Sequence, residues 1–249
     1  NDQILELSKN TAGTRLSADS PISADTYNSR IIVDFGKQIT ALTTAVNDGE
    51  IPPIGNNEGS ASVYLNLRAA SAEDLPYDYT LYAFPVSQSW TSGNGTFSDT
   101  PASKVGASWY YRDSADIGTY WDTGSAHSKD DISATETFGG GTWITGSGYE
   151  ASQSFSNEAP DLRMNVTDIV EKWVKSDINN YGFIIKRSRT DETSNGIFGK
   201  IQFFAENTNT IYVPRLEVAW DDADLSGTGS FNEISSETYV PYFKNIRNE

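Results

Sequence analysis

Apolar and polar side chains alternate along this chain in short bursts. In residues 161–166, Leu162, Met164 and Val166 alternate with Asp161, Arg163 and Asn165, the period of a strand with one buried and one wet face. The same period recurs in residues 30–35 through Ile31, Val33 and Phe35, and in residues 62–68 through Val63, Leu65 and Leu67. It returns in residues 79–86, 181–186, 200–205 and 214–220, and more weakly in 2–7. Pro85 marks a strand end or an edge, because proline has no amide to give a neighbour. Between residues 167 and 176 the period changes. Ile169, Val170, Trp173 and Val174 share one side of a helix, with Thr167 as N-cap, Asp168 near the positive end and Lys172 and Lys175 near the other. The pattern predicts a mainly β chain: an antiparallel, jelly-roll-like β-sandwich with one short helix closing an end.

Two stretches interrupt the strands. Residues 36–60 hold an amphipathic piece over 38–46 and then Pro52-Pro53, which forces extended backbone; they are expected to lie over the sandwich edge as an insertion. Residues 87–156 are rich in Gly and Ser and carry Trp90, Trp109, Trp121 and Trp143 with little periodicity, apart from short strands expected over 105–112 and 147–155. A loop region of that length is usually functional or forms an interface. The expected organisation is a sandwich over residues 1–220 and a linker with a docking tail over 221–249, where Tyr239, Tyr242 and Phe243 either cover the tail's own sheet or, as is favoured, supply apolar contacts to a neighbouring subunit or a following domain.

Composition narrows the partners. A net charge of −16 repels nucleic-acid backbones and anionic membranes, and fits a soluble particle or secreted protein. Cysteine is absent, which removes disulfides and thiol chemistry. No stretch approaches the roughly 20 apolar residues that span a bilayer. Asn1 is not an initiator methionine, so the chain is expected to start after processing or to be part of a longer product.

The runs Val166-Thr-Asp-Ile-Val-Glu-Lys-Trp173, Asn180-Tyr-Gly-Phe-Ile-Ile-Lys186 and Pro214-Arg-Leu-Glu-Val-Ala-Trp220 resemble the C-terminal half of the DNRLRE family, β-sandwich domains of secreted, surface and carbohydrate-associated bacterial proteins. With Leu75-Pro, Ser87-Gln-Ser-Trp90, Gly106-Ala-Ser-Trp-Tyr-Tyr-Arg-Asp113 and Arg215-Leu-Glu-Val-Ala-Trp-Asp-Asp222, the match extends over residues 29–249 and looks like a virion structural protein of marine T4-like phages. The resemblance implies a sandwich in which residues 30–35 form a central core strand. It supplies no catalytic residues.

Candidate chemistry is sparse. Trp90, Trp109, Trp121 and Trp143 either form a platform that stacks on sugar rings or plug the sandwich and its contacts; Trp173 and Trp220 lie on periodic elements and are assigned to the core. Asp222, Asp224, Ser226 and Glu233, with Gly227, follow the spacing of a calcium loop, but Gly229 replaces its aliphatic position and an acidic Gly-Ser linker produces such matches by chance. His127, the single histidine, sits in a polar loop without a residue placed to orient it as a base. Gly93-Asn-Gly95 and Gly139-Gly-Gly141 lack the lysine and hydroxyl residue of a phosphate loop. No cofactor or metal follows from these residues, and no spacing singles out a pair of carboxylates. The first expectation is a non-enzymatic structural protein of a virion or extracellular assembly, bound to other copies of itself or to other surface proteins. The alternative is a carbohydrate-binding module.

Overall fold

The computed structural model describes residues 4–10, 27–93, 105–109, 111–113, 119–121, 140–156, 160–193 and 198–221. In chain order the elements are β1 (Ile4–Asn10), β2 (Tyr27–Asn28), β3 (Ile31–Val33), α1 (Gly36–Asn47), β4 (Ser62–Leu67), β5 (Ala69–Glu73), β6 (Asp78–Pro85), β7 (Tyr111–Asp113) and β8 (Thr119–Tyr120). They continue with β9 (Ala151–Ser156), β10 (Leu162–Asn165), α2 (Thr167–Val174), β11 (Phe183–Arg187), α3 (Arg189–Thr193), β12 (Gly199–Phe204) and β13 (Arg215–Ala219). The fold is mainly β, and every strand pairing is antiparallel.

Two layers face each other. One is built from the orders β2-β1-β12-β5 and β10-β4-β13, which join because β4 runs into β5 through Arg68. The Arg68 carbonyl accepts from Phe204 N at 3.0 Å, while the amide of the same peptide unit, Ala69 N, donates to the Asp161 carboxylate at 2.8 Å. Those two groups point opposite ways, so β12 and the chain leading into β10 flank the β4–β5 strand on opposite sides. The other layer has the order β3-β11-β6-β9. Between the layers lies one core, with Leu7, Val63, Leu65, Leu67, Ile201 and Phe203 from the first layer and Val33, Leu81, Phe155, Phe183 and Ile185 from the second. The alternation foreseen in residues 62–68 and 161–166 is what buries one face of β4 and β10.

The helical content exceeds the expectation of one helix. α1 occupies residues expected to lie over an edge, yet Ile39 and Leu42 are buried in the main core and join Ile169, Val170 and Trp173 of α2 at the end of the sandwich. Thr167 is not the N-cap of α2. It is the first helical residue, its backbone N and hydroxyl donate to Asn165 Oδ1 at 3.0 and 2.7 Å, and its hydroxyl accepts from Val63 N at 2.9 Å. Val166 is the N-cap position and has no side-chain cap; Asn165 Oδ1 takes up the Thr167 amide just ahead of the helix, and Thr167 ties the helix to β4. β3 is buried but lies at a sheet edge, so the central strand implied for residues 30–35 is corrected; β11 and β6 occupy the centre. Trp220 is also corrected. It is 42% exposed, because β13 pairs with β4 only as far as Ala219 opposite Ser62, and beyond that point the tryptophan has no strand to pack on.

β11 carries the main departure from a two-layer sandwich, since all five of its residues are buried. Phe183 and Ile185 face the main core, whereas Ile184 faces away and forms a second cluster with Phe84, Val86 and Trp121, against which Trp90, Trp143, Tyr181 and Ile32 pack. Described parts of the 87–156 stretch thus cover the outer face of the second layer. Gly182 enters β11 with φ +83°, and a Cβ there would collide with the Val33 carbonyl, so glycine alone fits this close approach.

Covering both faces of β11 makes Ile184 as costly to trim as Ile185. Each alanine substitution is expected to cost about 2–5 kcal/mol in urea unfolding. A loss below about 0.5 kcal/mol for Ile184→Ala, the range of surface changes, would mean the outer face is bare.

Candidate functional site

The four loop tryptophans gather over the second layer. Trp121 is 0% exposed and its Nε1 donates to the Ser108 carbonyl at 2.9 Å. Trp90 donates through Nε1 to the Tyr181 carbonyl at 2.7 Å. Trp143 forms a bridge with Val86 beyond the end of β6, held by bonds from Ser87 N to Thr142 O and from Ile144 N to Pro85 O, both 3.0 Å. Trp109 is tied by its carbonyl to Gly140 N. Glycine at position 140 has φ +76°, and a Cβ there would run into Arg30 and the Trp109 ring. The structure brings these residues together as a cover in which the indole N–H groups of Trp90 and Trp121 are already used. A flat ring face turned to solvent, which sugar stacking requires, is not what Trp121 offers.

At the rim of this cover sits a buried ionic network. Arg30 passes between two indoles, its guanidinium carbon 4.8 Å from the Trp109 centroid and 5.0 Å from that of Trp143. It then donates in a two-pronged contact to Glu192, Nε to Oε1 at 3.0 Å and Nη2 to Oε2 at 2.7 Å. Lys186 Nζ lies 3.1 Å from the same Oε2, and Lys9 Nζ and Asn28 Nδ2 donate to the Glu192 backbone carbonyl at 2.6 and 3.0 Å. α3 exists at this point to plant Glu192 among four strands: Lys9 comes from β1, Asn28 from β2, Lys186 from β11, and Arg30 directly precedes β3. Arg187, only 2% exposed, donates through Nη2 to the Phe198 carbonyl at 2.7 Å and lies 5.9 Å from the Tyr79 ring and 5.7 Å from that of Phe198. Its Nε and Nη1 meet no hydrogen-bond acceptor.

Burial decides the ionisation here. It pushes the Lys9 amine down against the opposing pull of Glu192 and Asp191, pushes Arg187 down likewise, and pushes the Tyr79 phenol up against the pull of Arg187. The groups are held by packing and by mutual pairing. Among the described residues, no three His, Cys, Asp or Glu side chains come close enough to hold a metal ion, and no helix is long and apolar enough to cross a membrane.

Two surface depressions lie elsewhere. One, about 120 Å³, is lined by Asn56, Glu150, Asn165 and Asp168 at the start of α2. The other, about 240 Å³, is lined by Arg68, Ala69, Asp161, Phe204 and Tyr212. Sequence reasoning missed the second, because its parts come from a strand junction, a strand end and the 205–214 connection. Asp222, Asp224, Ser226, Glu233, His127, Tyr239, Tyr242 and Phe243 lie outside the described residues.

Removing the carboxylate from the network leaves Arg30 and Lys186 without their shared counter-charge. Glu192→Gln is expected to destabilise the fold by about 3–5 kcal/mol in chemical denaturation, far more than an exposed pair such as Lys175–Glu171. Because the folded-state pKa of Tyr79 is raised, its contribution is intact below pH 10 and is lost as pH rises, the unfolded phenol ionising first. Tyr79→Phe is therefore expected to flatten the alkaline fall in stability relative to the parent chain, measured by melting temperature across the alkaline range.

Comparison with protein-family models, curated proteins and solved structures finds no match for this chain.

Proposed function

We propose that the chain is a non-enzymatic structural protein of a virion or extracellular assembly, one that associates with further copies of itself. The observation that carries this reading is β13. It is a five-residue strand with a single described neighbour, β4, so among the described residues a row of its backbone groups has no strand partner. Such an edge is a template for another strand unless it is blocked. Large apolar side chains bracket it, with Ile211 at 84% exposure before the strand and Trp220 after it. The inward half of the strand, Leu216 and Val218, packs on the main core and holds the edge in place.

Two further points support the reading. The buried ionisable groups are consumed in holding strands together, and the resemblance of residues 29–249 to a phage virion structural protein points the same way. The aromatic loops, expected to make the contacts, serve as cover for β11 instead, which moves the contact surface to the β13 margin. Each copy carries a net charge of −16, so like-charge repulsion opposes association and salt screens it.

Sedimentation velocity over a range of concentration and salt tests this. The chain is expected to associate more strongly as salt rises, and Trp220→Lys is expected to weaken association at least about tenfold, as for a residue at the centre of a contact. A strict monomer at every salt and concentration, or association indifferent to Trp220→Lys, would overturn the proposal.

A further inference from the structure

Lys9 is an amine placed where charge is costly. Leu7 and Lys9 lie two positions apart on β1 and share its inward face, and Lys9 is only 1% exposed. Opposite Lys9, in β2, stands Asn28. The backbone contact between the two strands is made one position away, where Ser29 N donates to Ser8 O at 3.0 Å. Lys9 turns its own carbonyl to the other side, to Phe198 N at 2.9 Å. Lys9 and Asn28 are therefore a non-hydrogen-bonded cross-strand pair. Such pairs bring their α-carbons to about 4.5 Å and send both side chains off the same face of the sheet.

Both side chains end on one atom. Lys9 Nζ and Asn28 Nδ2 donate to the Glu192 backbone carbonyl at 2.6 and 3.0 Å, so the amine and the carboxamide lie within about 6 Å of each other, the most that two such contacts allow. The carboxamide is anchored by its nitrogen alone, since Asn28 Oδ1 is buried without a hydrogen-bond partner. The Glu192 carboxylate is taken by Arg30 and Lys186, and Lys9 reaches only the backbone oxygen. Burial favours the uncharged amine there, against the pull of Glu192 and Asp191. An uncharged amine that gives one N–H to the carbonyl keeps its lone pair. A nucleophile is thus held, out of water, beside an amide carbon.

We propose that the folded chain joins Lys9 to Asn28 through an intramolecular isopeptide bond. The Lys9 Nζ lone pair attacks Asn28 Cγ, so that the Nζ–Cγ bond forms and the Cγ–Nδ2 bond breaks. The amide nitrogen leaves as ammonia, carrying a proton given up by the amine. No oxidant, reductant or cofactor enters the balance. The Glu192 carbonyl holds both reacting groups, and α3 puts it there. The product ties β1 covalently to β2, a strand of only two residues, in a chain that has no cysteine for a disulfide. Lys9 and Asn28 are separate from Trp220 and from the β13 edge, so the bond stands or falls independently of self-association.

The test is intact-mass spectrometry of the full chain, purified and held folded at neutral pH, followed by proteolysis and peptide mapping. The mass is expected to fall about 17 Da below that of the sequence, the loss of one ammonia, and the map to contain a branched peptide that joins Lys9 to Asn28. Lys9→Met, which keeps the length of the side chain without the amine, is expected to restore the sequence mass. Asn28→Asp is expected to keep the crosslink with loss of water instead, about 18 Da. The peptide map of the parent chain is decisive by itself, so a variant that folds poorly leaves the test intact. Three results would overturn the proposal: a folded parent chain that keeps its sequence mass, a branched peptide that joins other residues, or a 17 Da loss that survives Lys9→Met and so marks an asparagine cyclised on its own backbone.

Discussion

A strand buried on both faces needs a third layer, and β11 imposes that need on this chain. Phe183 and Ile185 point into the core between the two sheets, but Ile184 and Lys186 point the other way from a central position in the second layer. Left bare, that outer face would expose Ile184, Phe84, Val86 and Ile32 together, an apolar patch that a water-exposed sheet does not tolerate well. The tryptophans between residues 87 and 156 answer this requirement. Trp121 fills the centre of the cover, while Trp90 and Trp143 pack on its margin. The indole N–H groups of Trp90 and Trp121 bond inside the protein, as buried polar groups must.

The same outward-facing positions explain why charge is buried at the end of β11. Lys186 and Arg187 continue the strand past its apolar part, and neither reaches water. α3 returns the Glu192 carboxylate to Lys186, and Arg30 completes the pairing while lying between Trp109 and Trp143; Arg187 is held instead by the Phe198 carbonyl. An ionic network of this kind adds little net stability against an apolar substitute, but it is costly to break and it dictates which strands meet. Here it joins β1 and β2 through the Glu192 backbone carbonyl, and β11 and the residue before β3 through its carboxylate. The outer face of the first layer has the opposite character. Glu6 accepts from Ser8 and Gln202, Ser71 bonds Gln202, and Arg163 lies over Tyr64 while pairing with Glu217, whose carboxyl it holds below the usual range. That face is polar and wet. Near the β13 edge, by contrast, Ile211 and Trp220 stand exposed.

Much of this architecture was legible in the residues. The alternation in 62–68, 161–166 and 200–205 marks strands with one wet face, and the structure buries Val63, Leu65, Leu67, Leu162, Met164, Ile201 and Phe203 accordingly. The change of period after Val166 marks α2. α1 carried the same signal in Ile39, Leu42 and Val46, but the double proline that follows suggested an insertion on the edge instead. The third layer left no periodic trace, because a cover made of irregular backbone is specified by where single large side chains land. For the same reason Trp121, left open between a platform and a plug, is buried, whereas Trp220, assigned to the core, is exposed: an irregular loop can be pinned beneath its neighbours, while a regular strand can outrun its partner. The network around Glu192 was likewise invisible, since its members lie up to 183 positions apart in the chain.

The most direct test of the cover is the exchange rate of the indole protons with solvent, followed by NMR under native conditions. The account predicts that Trp121 Nε1–H exchanges as slowly as the β11 amides, only through unfolding of the whole domain, while Trp220 Nε1–H exchanges at once. Rapid exchange at Trp121 with β11 still protected would contradict it, because the tryptophan segment would then be a detachable surface loop rather than a layer of the fold.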